Sequence, residues 1–481
     1  MLFNSFHFAL FFILILAAHF ALPQRYRWAL LLAASCYFYM AFIPVYILIL
    51  GVSIVIDYAA GIWIEDAPLR RKKALLMVSL VANIGLLAIF KYFNFINENL
   101  LGLARALHWN YGFEGLSIIL PIGLSFHTFQ AMAYTIEVYR GNQQAERHFG
   151  IYALYVMFFP QLVAGPIERP QNMLHQFRSP QTPDADRWRS GLKLILWGLF
   201  KKIAVADLVA PAVGTVYSSP TQFSGPILIL ATVFFAIQIY CDFSAYSEIA
   251  IGVARLMGYE MKVNFTQPYF ARSLGEFWHR WHISLSTWFR DYVYIPLGGN
   301  RRSTGRQYLN VLIVFTLSGL WHGAAWTFVL WGALHGVYLI LSKALAPLRK
   351  ACAELSGLSR VPMLLTVVQT VWVFTLVLIG WVFFRAQSFA DAIHILGHAH
   401  LVRDFRLADL FELGLPRFEM VVALLTVTTI ILVDWVVSYR PKFVMTLWER
   451  RAFRWTCYIC CFYCIVFFGA FDQVQFIYFQ F

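Results

Sequence analysis

The sequence predicts an all-α polytopic membrane protein. About ten to twelve transmembrane helices are expected, plus re-entrant or amphipathic helices, because apolar segments near the length of a membrane-spanning helix recur from end to end. Hydrophobic residues make up 60% of the 481 residues and charged residues only 13%, whereas a soluble protein carries about a quarter charged residues. We therefore expect one integral membrane domain over residues 1–481.

The apolar segments define the candidate spans. They are residues 6–22, 28–43, 45–64, 74–93, 117–138, 149–165, 190–215, 226–257, 308–320, 324–346, 362–386, 420–440 and 453–470. Several are shorter than the ~20 residues of a span, or are interrupted, so some are expected to be re-entrant. The first segment lacks a preceding basic region and a small-residue cleavage site, so we interpret it as a retained helix rather than a signal peptide.

The basic residues predict the orientation of the chain. Arg25 and Arg27 follow the first candidate span, and the basic run 70–73 follows the third. Two spans separate these sites, so they lie on one side, which the positive-inside rule assigns to the cytoplasm. The alternative is that these side chains only snorkel to an interface. The net charge of +13 comes with no long basic run or solvated domain, so we expect no nucleic-acid partner.

Polar residues mark three features of the first half. Residues 94–116 contain several asparagines and predict an external loop. Residues 158–170 contain three prolines and a glycine. We expect this segment to leave the helical conformation and to be buried in protein or to line water. One helical face between these two segments is polar and faces either a cavity or another helix. Its residues are His127, Gln130 and Tyr134.

Charged residues also interrupt later apolar segments. Lys201 and Lys202 predict an interface rather than an ion path. Asp242 lies within an apolar segment and needs a partner, either as a structural anchor or as a catalytic group. Glu248 and Arg255 are seven residues apart on one helical face, which allows them to neutralise each other.

Two groups of residues have spacings that invite a metal interpretation. One comprises Cys457, Cys460, Cys461 and Cys464, and the other His394, His398 and His400. The cysteines form one helical stripe in wholly apolar surroundings, which is typical of a packing face. The histidines lie in a polar segment without a clear set of carboxylate ligands. We therefore predict no metal site.

The most informative stretch runs from residue 277 to 323. It holds His279, His282 and His322 among tryptophans, and polar groups of this kind are costly inside a bilayer unless they serve a function. Spacing by four residues predicts an amphipathic helix at an interface or in a cavity. Its polar face would carry Trp278, His282, Ser286 and Arg290. Trp321 and His322 are followed by Gly323, which permits a close approach to the histidine.

The catalytic motifs that the sequence lacks leave two main classes of function, a membrane enzyme or a transporter. The sequence contains no G-x-S-x-G, Walker, G-x-G-x-x-G or H-E-x-x-H motif. A buried histidine can act as a general base, as an acyl-accepting nucleophile or as a packed structural residue. A transporter predicts an internal repeat, and we find none, which favours an enzyme. A structural or interaction protein remains the third alternative.

Several segments together resemble the membrane-bound O-acyltransferase (MBOAT) family. They are GLSFHTFQ, FFPQLVAGPIERP, CDFSAYSEIAIGVARLMGY, NFTQPYFARS, FWHRWHISLSTWFRDYVYIPLGGN and LSGLWHGAAWTFVLWGALHG. The similarity covers most of residues 1–345 and is greatest to the bacterial AlgI-type branch of alginate O-acetylation, which is related to DltB. The chain departs from this branch at His279, where the branch commonly has arginine.

The resemblance implies an MBOAT-type ring of helices around a central funnel, in the bacterial inner membrane. It also implies three regions: N-terminal helices in 1–115, a catalytic core in 116–346 and C-terminal helices in 347–481. No permanently bound cofactor is implied. The acyl donor is a cytoplasmic thioester such as acetyl-CoA. The expected partners are a periplasmic acetyltransferase of the SGNH, AlgJ or AlgX type and an acceptor polysaccharide such as alginate or peptidoglycan.

The resemblance further implies that His322 is the catalytic histidine and that His282 is its partner. We expect His322 to act as a general base, or as a transient acyl carrier. His282 would orient the donor or stabilise the oxyanion. The remaining cavity candidates are Trp278, Ser286, Arg290, Trp321 and Asp242. On one continuous helix, His335 would lie about 220° around the axis from His322, so we interpret it as structural.

Overall fold

The computed structural model describes residues 1–116, 121, 123–163, 165–401, 406–411, 413–471 and 476–477. Over these residues the regular structure is entirely helical, with no strand. Among them, seven helices are long and apolar enough to cross a membrane: Tyr46–Asp66, Leu69–Ala106, Gly225–Leu256, Trp326–Ala344, Pro362–Arg385, Arg417–Tyr439 and Arg451–Phe468. The protein is therefore a multi-pass membrane protein with an all-α fold, as the sequence predicts.

The first of two compact units comprises Met1–Ile195 and Ile249–Lys262. Among its described residues, nine α-helices begin: α1 (Phe6–Ala21), α2 (Gln24–Met40), α3 (Tyr46–Asp66), α4 (Leu69–Leu87), α5 (Phe93–Ala106), α6 (Leu124–Arg140), α7 (Phe149–Met157), α8 (Pro170–Arg178) and α9 (Ala185–Lys201). One π-helical turn, Ala88–Tyr92, joins α4 to α5.

The second compact unit comprises Leu196–Glu248 and Val263–Phe481. Its helices are α10 (Asp207–Ser218), α11 (Gly225–Leu256), α12 (Leu274–Arg280), α13 (Ile283–Phe289), α14 (Thr304–His322), α15 (Trp326–Ala344), α16 (Ala346–Leu355), α17 (Pro362–Arg385), α18 (Phe389–His398), α19 (Arg417–Tyr439), α20 (Pro441–Glu449) and α21 (Arg451–Phe468). The last turns of α11 belong to the first unit. The three regions expected from the resemblance are a different division of the chain and stay a prediction.

The predicted loop over residues 94–116 is wrong in its first half, because α5 continues to Ala106. Asn94 and Asn97 do not break this helix but bond to the segment that follows it. Asn94 donates its side-chain amide to the carbonyl oxygen of Leu116 at 2.9 Å, and Asn97 donates to that of Phe113 at 3.2 Å. Asparagine favours turns because its side chain bonds nearby backbone, and here that bonding fixes a loop beside the helix.

The predicted break over residues 158–170 is confirmed, since α7 ends at Met157 and α8 begins at Pro170. Ala164 lies outside the described residues. Side-chain hydrogen bonds join this buried segment to other parts of the first unit. Ser35 accepts a hydrogen bond from the Phe159 amide at 3.0 Å. Glu168 is fully buried and accepts from the Lys262 amide at 2.5 Å.

The polar face of α6 is buried against protein of the first unit rather than against lipid. Gln130 donates its amide to the carbonyl oxygen of Tyr155 at 2.5 Å. The Tyr134 hydroxyl accepts from the Glu146 amide at 2.9 Å. Of the two alternatives left open by the sequence, these contacts show packing against neighbouring elements.

A polar network that the sequence analysis did not single out joins α3, α4 and α6. The carboxylate of Asp57 is fully buried and accepts hydrogen bonds from Ser79 at 2.6 Å and from Asn83 at 2.9 and 3.0 Å. Ser53 donates to the side-chain oxygen of Asn83 at 3.2 Å, and the hydroxyl oxygens of Ser79 and Thr135 lie within hydrogen-bond distance at 3.1 Å. Hydrogen bonds between helices stabilise helix packing in a membrane. The network therefore ties three helices of this unit together.

Glycines bring α14 and α15 into close contact. A Cβ added to Gly319 would lie 2.2 Å from the Phe328 carbonyl oxygen, and one added to Gly332 would lie 2.2 Å from the Phe315 carbonyl oxygen. Small residues allow helix backbones to approach closely. The two helices form a hairpin, because α14 ends at His322 and α15 begins three residues after Gly323.

Candidate active site

His282 occupies the junction between α12 and α13 in a left-handed backbone conformation, with φ 44° and ψ 55°. Such a conformation is uncommon for residues other than glycine, and it is found at functional sites when the surroundings enforce it. The imidazole is buried. The Phe243 ring meets it edge-on with the ring centroids 4.5 Å apart, and the Phe265 ring is nearly parallel to it at 6.3 Å.

His322 is the last residue of α14 and is also buried. Gly323 follows in an extended conformation, with φ −157°. A Cβ on Gly323 would lie 2.2 Å from the Phe328 ring, so the chain can leave the helix here only with a glycine. The break lets the chain turn back into α15, whose Trp331 ring contacts the His322 ring edge-on with centroids 5.1 Å apart.

The structure brings the two predicted histidines together. Their ring centroids are 6.4 Å apart at an interplanar angle of 55°. The Trp321 ring lies 6.1 Å from that of His282 and 4.9 Å from that of His322. Two buried imidazoles at this separation, with an indole beside both, define the candidate active site.

The protonation state of His282 follows from its burial among apolar residues. His282 lies outside the membrane-spanning helices, and burial lowers the pKa of its imidazole to about 3. The ring is therefore neutral near pH 7, and one nitrogen carries a hydrogen while the other carries a lone pair. A neutral imidazole can donate one hydrogen bond and accept another. Which nitrogen carries the hydrogen is set by what it contacts.

The predicted continuous amphipathic helix is wrong, because α12 ends at Arg280 and α13 begins only at Ile283. His282, in its left-handed conformation, turns the chain between the two helices. The four residues predicted to share one helical face therefore do not share it: Trp278, His282, Ser286 and Arg290. Ser286 donates its hydroxyl to the Trp281 carbonyl oxygen at 3.2 Å. Arg290 is exposed and pairs with Asp291 at 2.8 Å.

Trp278 and Asp242, which were also predicted to line the cavity, lie next to the residues that contact the histidine pair. Trp278 packs edge-on against Trp331 and His335, with centroid distances of 5.8 and 5.1 Å. Asp242 precedes Phe243, the residue that contacts His282, and pairs with Lys202 at 2.9 Å. The prediction that Asp242 needs a partner is thereby confirmed.

His335 lies closer to the site than a continuous helix would place it. The helical break after His322 turns α15 back along α14. The Trp331 ring then contacts the rings of His322 and His335, each at a centroid distance of 5.1 Å. A Cβ on Gly380 would lie 2.6 Å from the His335 Nε2 atom. His335 is thus tightly packed between aromatic rings and α17, which agrees with a structural role.

Lys201 and Lys202 are buried in the second unit, and their predicted place at a membrane interface stays a prediction. The Lys202 ammonium lies 2.8 Å from Asp207 as well as 2.9 Å from Asp242. Lys201 pairs with Glu248 at 2.6 Å. Burial of paired charges is tolerated because each partner replaces part of the lost water.

The predicted pairing of Glu248 with Arg255 is also wrong. Glu248 pairs instead with Lys201, whereas Arg255 pairs with Glu260 at 2.8 Å and donates to the Ser190 hydroxyl at 2.7 Å. A shared helical face was a weak guide here, because an oppositely charged side chain from outside the helix lies nearer to each of the two residues: Lys201 to Glu248, and Glu260 to Arg255.

Across the described residues, no three His, Cys, Asp or Glu side chains are grouped as metal ligands. The rings of His394 and His398 stack with centroids 3.9 Å apart on α18. All seven cysteines have free thiols.

The fold and the site define a class: a polytopic membrane protein with two buried imidazoles suited to proton transfer. The membrane-bound O-acyltransferase family model matches residues 147–379, which include both histidines. Curated relatives support the match over a longer part of the chain. The chain belongs to the membrane-bound O-acyltransferase family and is an O-acyltransferase, which confirms the resemblance found in the sequence.

Three relatives illustrate the match. The probable alginate O-acetylase AlgI of Azotobacter vinelandii is 36% identical over 426 residues, covering 88% of this chain and 82% of the relative. The peptidoglycan O-acetyltransferase of Helicobacter pylori is 35% identical over 393 residues, covering 76% and 72%. The teichoic acid D-alanyltransferase of Streptococcus thermophilus is 30% identical over 244 residues, covering 47% and 58%.

Proposed function

We propose that this protein transfers an acyl group, most simply acetyl, from a cytoplasmic thioester across the bacterial inner membrane. The acceptor is a hydroxyl of a cell-surface or exported polysaccharide, such as alginate or peptidoglycan. The names of the relatives support the acceptor class. The buried pair of His282 and His322, 6.4 Å apart within the family region, is the observation that carries the chemistry.

In the proposed mechanism, His322 removes the proton from the acceptor hydroxyl as its oxygen attacks the thioester carbonyl carbon. A positioned general base contributes about 10²–10⁴-fold to the rate. The neutral His282 donates a hydrogen bond to the oxyanion that develops on the carbonyl oxygen. Collapse of the tetrahedral intermediate breaks the carbon–sulfur bond. The proton held by His322 passes to the departing sulfur, which leaves as a thiol.

A variant of this mechanism uses His322 as a transient acyl carrier. The imidazole nitrogen attacks the thioester, the thiol leaves, and the acceptor hydroxyl then takes the acyl group from the histidine. The two routes differ in one observable. Only the carrier route places labelled acetyl on the protein in the absence of acceptor.

The acceptor hydroxyl belongs either to the polymer itself or to a periplasmic acetyltransferase partner of the SGNH, AlgJ or AlgX type that passes the acetyl group on. No resident cofactor is needed, because the thioester is a substrate and is already activated. Donor and acceptor both meet at the histidine pair in this proposal. Acetyl-CoA is the donor to test first.

The test measures ester-linked acetate on each purified cell-surface polymer. Cells carry either the intact chain or the His322→Ala variant at matched membrane levels. The control variant is His394→Ala, which removes an imidazole from α18 outside the candidate site. We expect one polymer to lose its acetate in the His322 variant only.

The outcome also identifies the acceptor. The polymer that loses acetate is the acceptor, and membrane vesicles with acetyl-CoA should then release thiol only with the active chain. Unchanged acetate on every polymer in the His322→Ala cells would mean either that the acyl group is not acetyl or that His322 serves transport or structure.

A further inference from the structure

We propose that Asn264 is a positioning residue that holds His282 in its left-handed conformation and thereby orients the imidazole towards His322. This inference rests on the proposed function of the histidine pair. A non-glycine residue in this conformation is strained and keeps it only where surrounding contacts enforce it. The contacts of Asn264 are concentrated on the two residues that follow His282.

Asn264 accepts three hydrogen bonds from these two residues. Its backbone carbonyl oxygen accepts from the Ile283 amide at 3.0 Å. Its side-chain oxygen accepts from the Ser284 amide at 3.1 Å and from the Ser284 hydroxyl at 3.0 Å. The backbone donors of residues 283 and 284 begin helix α13, where the first amides have no partner within the helix. Asn264 thus acts as a cap supplied from another segment.

The remaining group of the Asn264 side chain fixes the cap to a long helix. Its amide nitrogen donates to the Ser247 hydroxyl on α11 at 3.4 Å. Both Asn264 and Ser247 are buried. An amide is suited to this place because it offers an acceptor and a donor on one planar group. An aspartate would keep the acceptor and lose the donor.

The two residues after Asn264 complete a cradle around His282. The Thr266 amide donates to the Arg280 carbonyl oxygen at 3.0 Å, on the side that precedes His282. Between these anchors, the Phe265 ring lies against both Trp281 and His282, with centroids 5.1 and 6.3 Å apart. The short segment 264–266 therefore holds the backbone on each side of the histidine and one face of its ring.

Asn264 thus affects the orientation of the His282 imidazole rather than the binding of a substrate. The direction of the His282 imidazole depends on a backbone conformation that its own residue type disfavours, so loss of the cap lets the backbone relax and the ring move. A displacement of about 1 Å at a reacting group can cost about 10²-fold in rate. Such a loss appears in kcat with KM nearly unchanged when ground-state binding is preserved.

The test compares Asn264→Ala, Asn264→Asp and the intact chain in membrane vesicles supplied with acetyl-CoA and the acceptor polymer. We expect kcat to fall about 10- to 100-fold in Asn264→Ala, with KM for acetyl-CoA changed less than about 3-fold. Asn264→Asp should recover part of kcat because it keeps the acceptor for Ser284. The matched control is Asn310→Ala, another buried asparagine of the second unit, whose amide donates to the Leu297 carbonyl oxygen at 3.3 Å. Its kcat should stay near that of the intact chain.

A second measurement does not depend on activity. Backbone hydrogen exchange over residues 283–286 should accelerate in Asn264→Ala and remain slow in Asn310→Ala, because only the first variant removes the acceptor of the Ser284 amide. Unchanged exchange there, or unchanged kcat in Asn264→Ala, would overturn the inference. Absence of acetyl transfer by the intact chain would instead contradict the proposed function, while exchange would still decide whether Asn264 holds this junction.

Discussion

The imidazole rings of His282 and His322 lie with 6.4 Å between their centroids and their planes tilted by 55°, although 40 positions separate them in the sequence. Each histidine lies where a helix is interrupted, His282 at a left-handed junction and His322 at the end of α14. Helix interruptions place these side chains, and aromatic rings pack against both of them. This arrangement makes the following outcomes measurable.

Replacing His282 with alanine should lower kcat for acetyl transfer. The side chain is proposed to donate to the oxyanion, and loss of one such donor costs about 10²–10³-fold. Steady-state transfer by membrane vesicles measures the effect. Replacement of the exposed His279 by alanine is the control and should leave kcat within about 3-fold, because His279 bonds only to the Gly275 carbonyl oxygen of its own helix among the contacts described. Equal losses in the two variants would contradict this assignment.

Replacing Lys202 with methionine should strongly destabilise the protein. The change leaves the carboxylates of Asp207 and Asp242 buried without their shared ammonium. Removal of one partner of a buried ion pair costs about 3–5 kcal/mol. The thermal unfolding midpoint of the purified protein in detergent reports this loss.

An exposed arginine provides the control for the Lys202 variant. Arg147 pairs with Glu65 and Asp66 and is 54% exposed. Exposed ion pairs contribute little to stability because solvent screens them, so Arg147→Ala should shift the midpoint little. A larger shift for Arg147 than for Lys202 would contradict the importance of the buried cluster.

Replacing Gly319 with valine should separate α14 from α15 and reduce both stability and activity. The first added carbon would lie 2.2 Å from the Phe328 carbonyl oxygen, a backbone atom that cannot move aside alone. The same separation would displace His322, which follows one turn later. Gly305→Val serves as the control because nothing lies within 4 Å of its added Cβ. Membrane level, unfolding midpoint and transfer rate are the measurements, and normal values for all three in Gly319→Val would contradict the close packing.

Replacing Asp57 with leucine should loosen the first unit without touching the histidine pair. Asn83 and Ser79 would lose their acceptor, and hydrogen bonds between membrane helices are worth about 0.6–2 kcal/mol each. Asp57→Asn keeps an acceptor oxygen and should have a milder effect. Limited proteolysis and the unfolding midpoint distinguish the two variants. Equal stability of the leucine variant and the intact chain would show that the network does not stabilise this unit.

Much of the fold was predictable because a membrane restricts the backbone conformations that a chain can adopt. Apolar segments of spanning length predict helices, since every backbone polar group must be satisfied within its own segment. The prolines of residues 158–170 predicted a break that is present. Asparagine spacing was a poorer guide, because the side chains of Asn94 and Asn97 bond a following loop and leave α5 intact.

The candidate site was predictable in its residue types and not in its geometry. His282, His322 and Trp321 were singled out from the sequence, and they lie together. The even spacing of Trp278, His282, Ser286 and Arg290 pointed to one helix, which the structure divides at His282. No local pattern signals such a junction, since the residues after it donate hydrogen bonds to Asn264, which lies eighteen positions before His282.

The sequence by itself determined the class of environment, the helical architecture and the histidines of the candidate site, because hydrophobicity and residue type act locally along the chain. Tertiary structure alone decided which groups meet. Lys202 finds Asp207 and Asp242, Glu248 pairs with Lys201 rather than Arg255, and the return of α15 places Trp331 beside both His322 and His335. The physical reason is that charges and rings are partnered through space, by whichever element packing brings within reach.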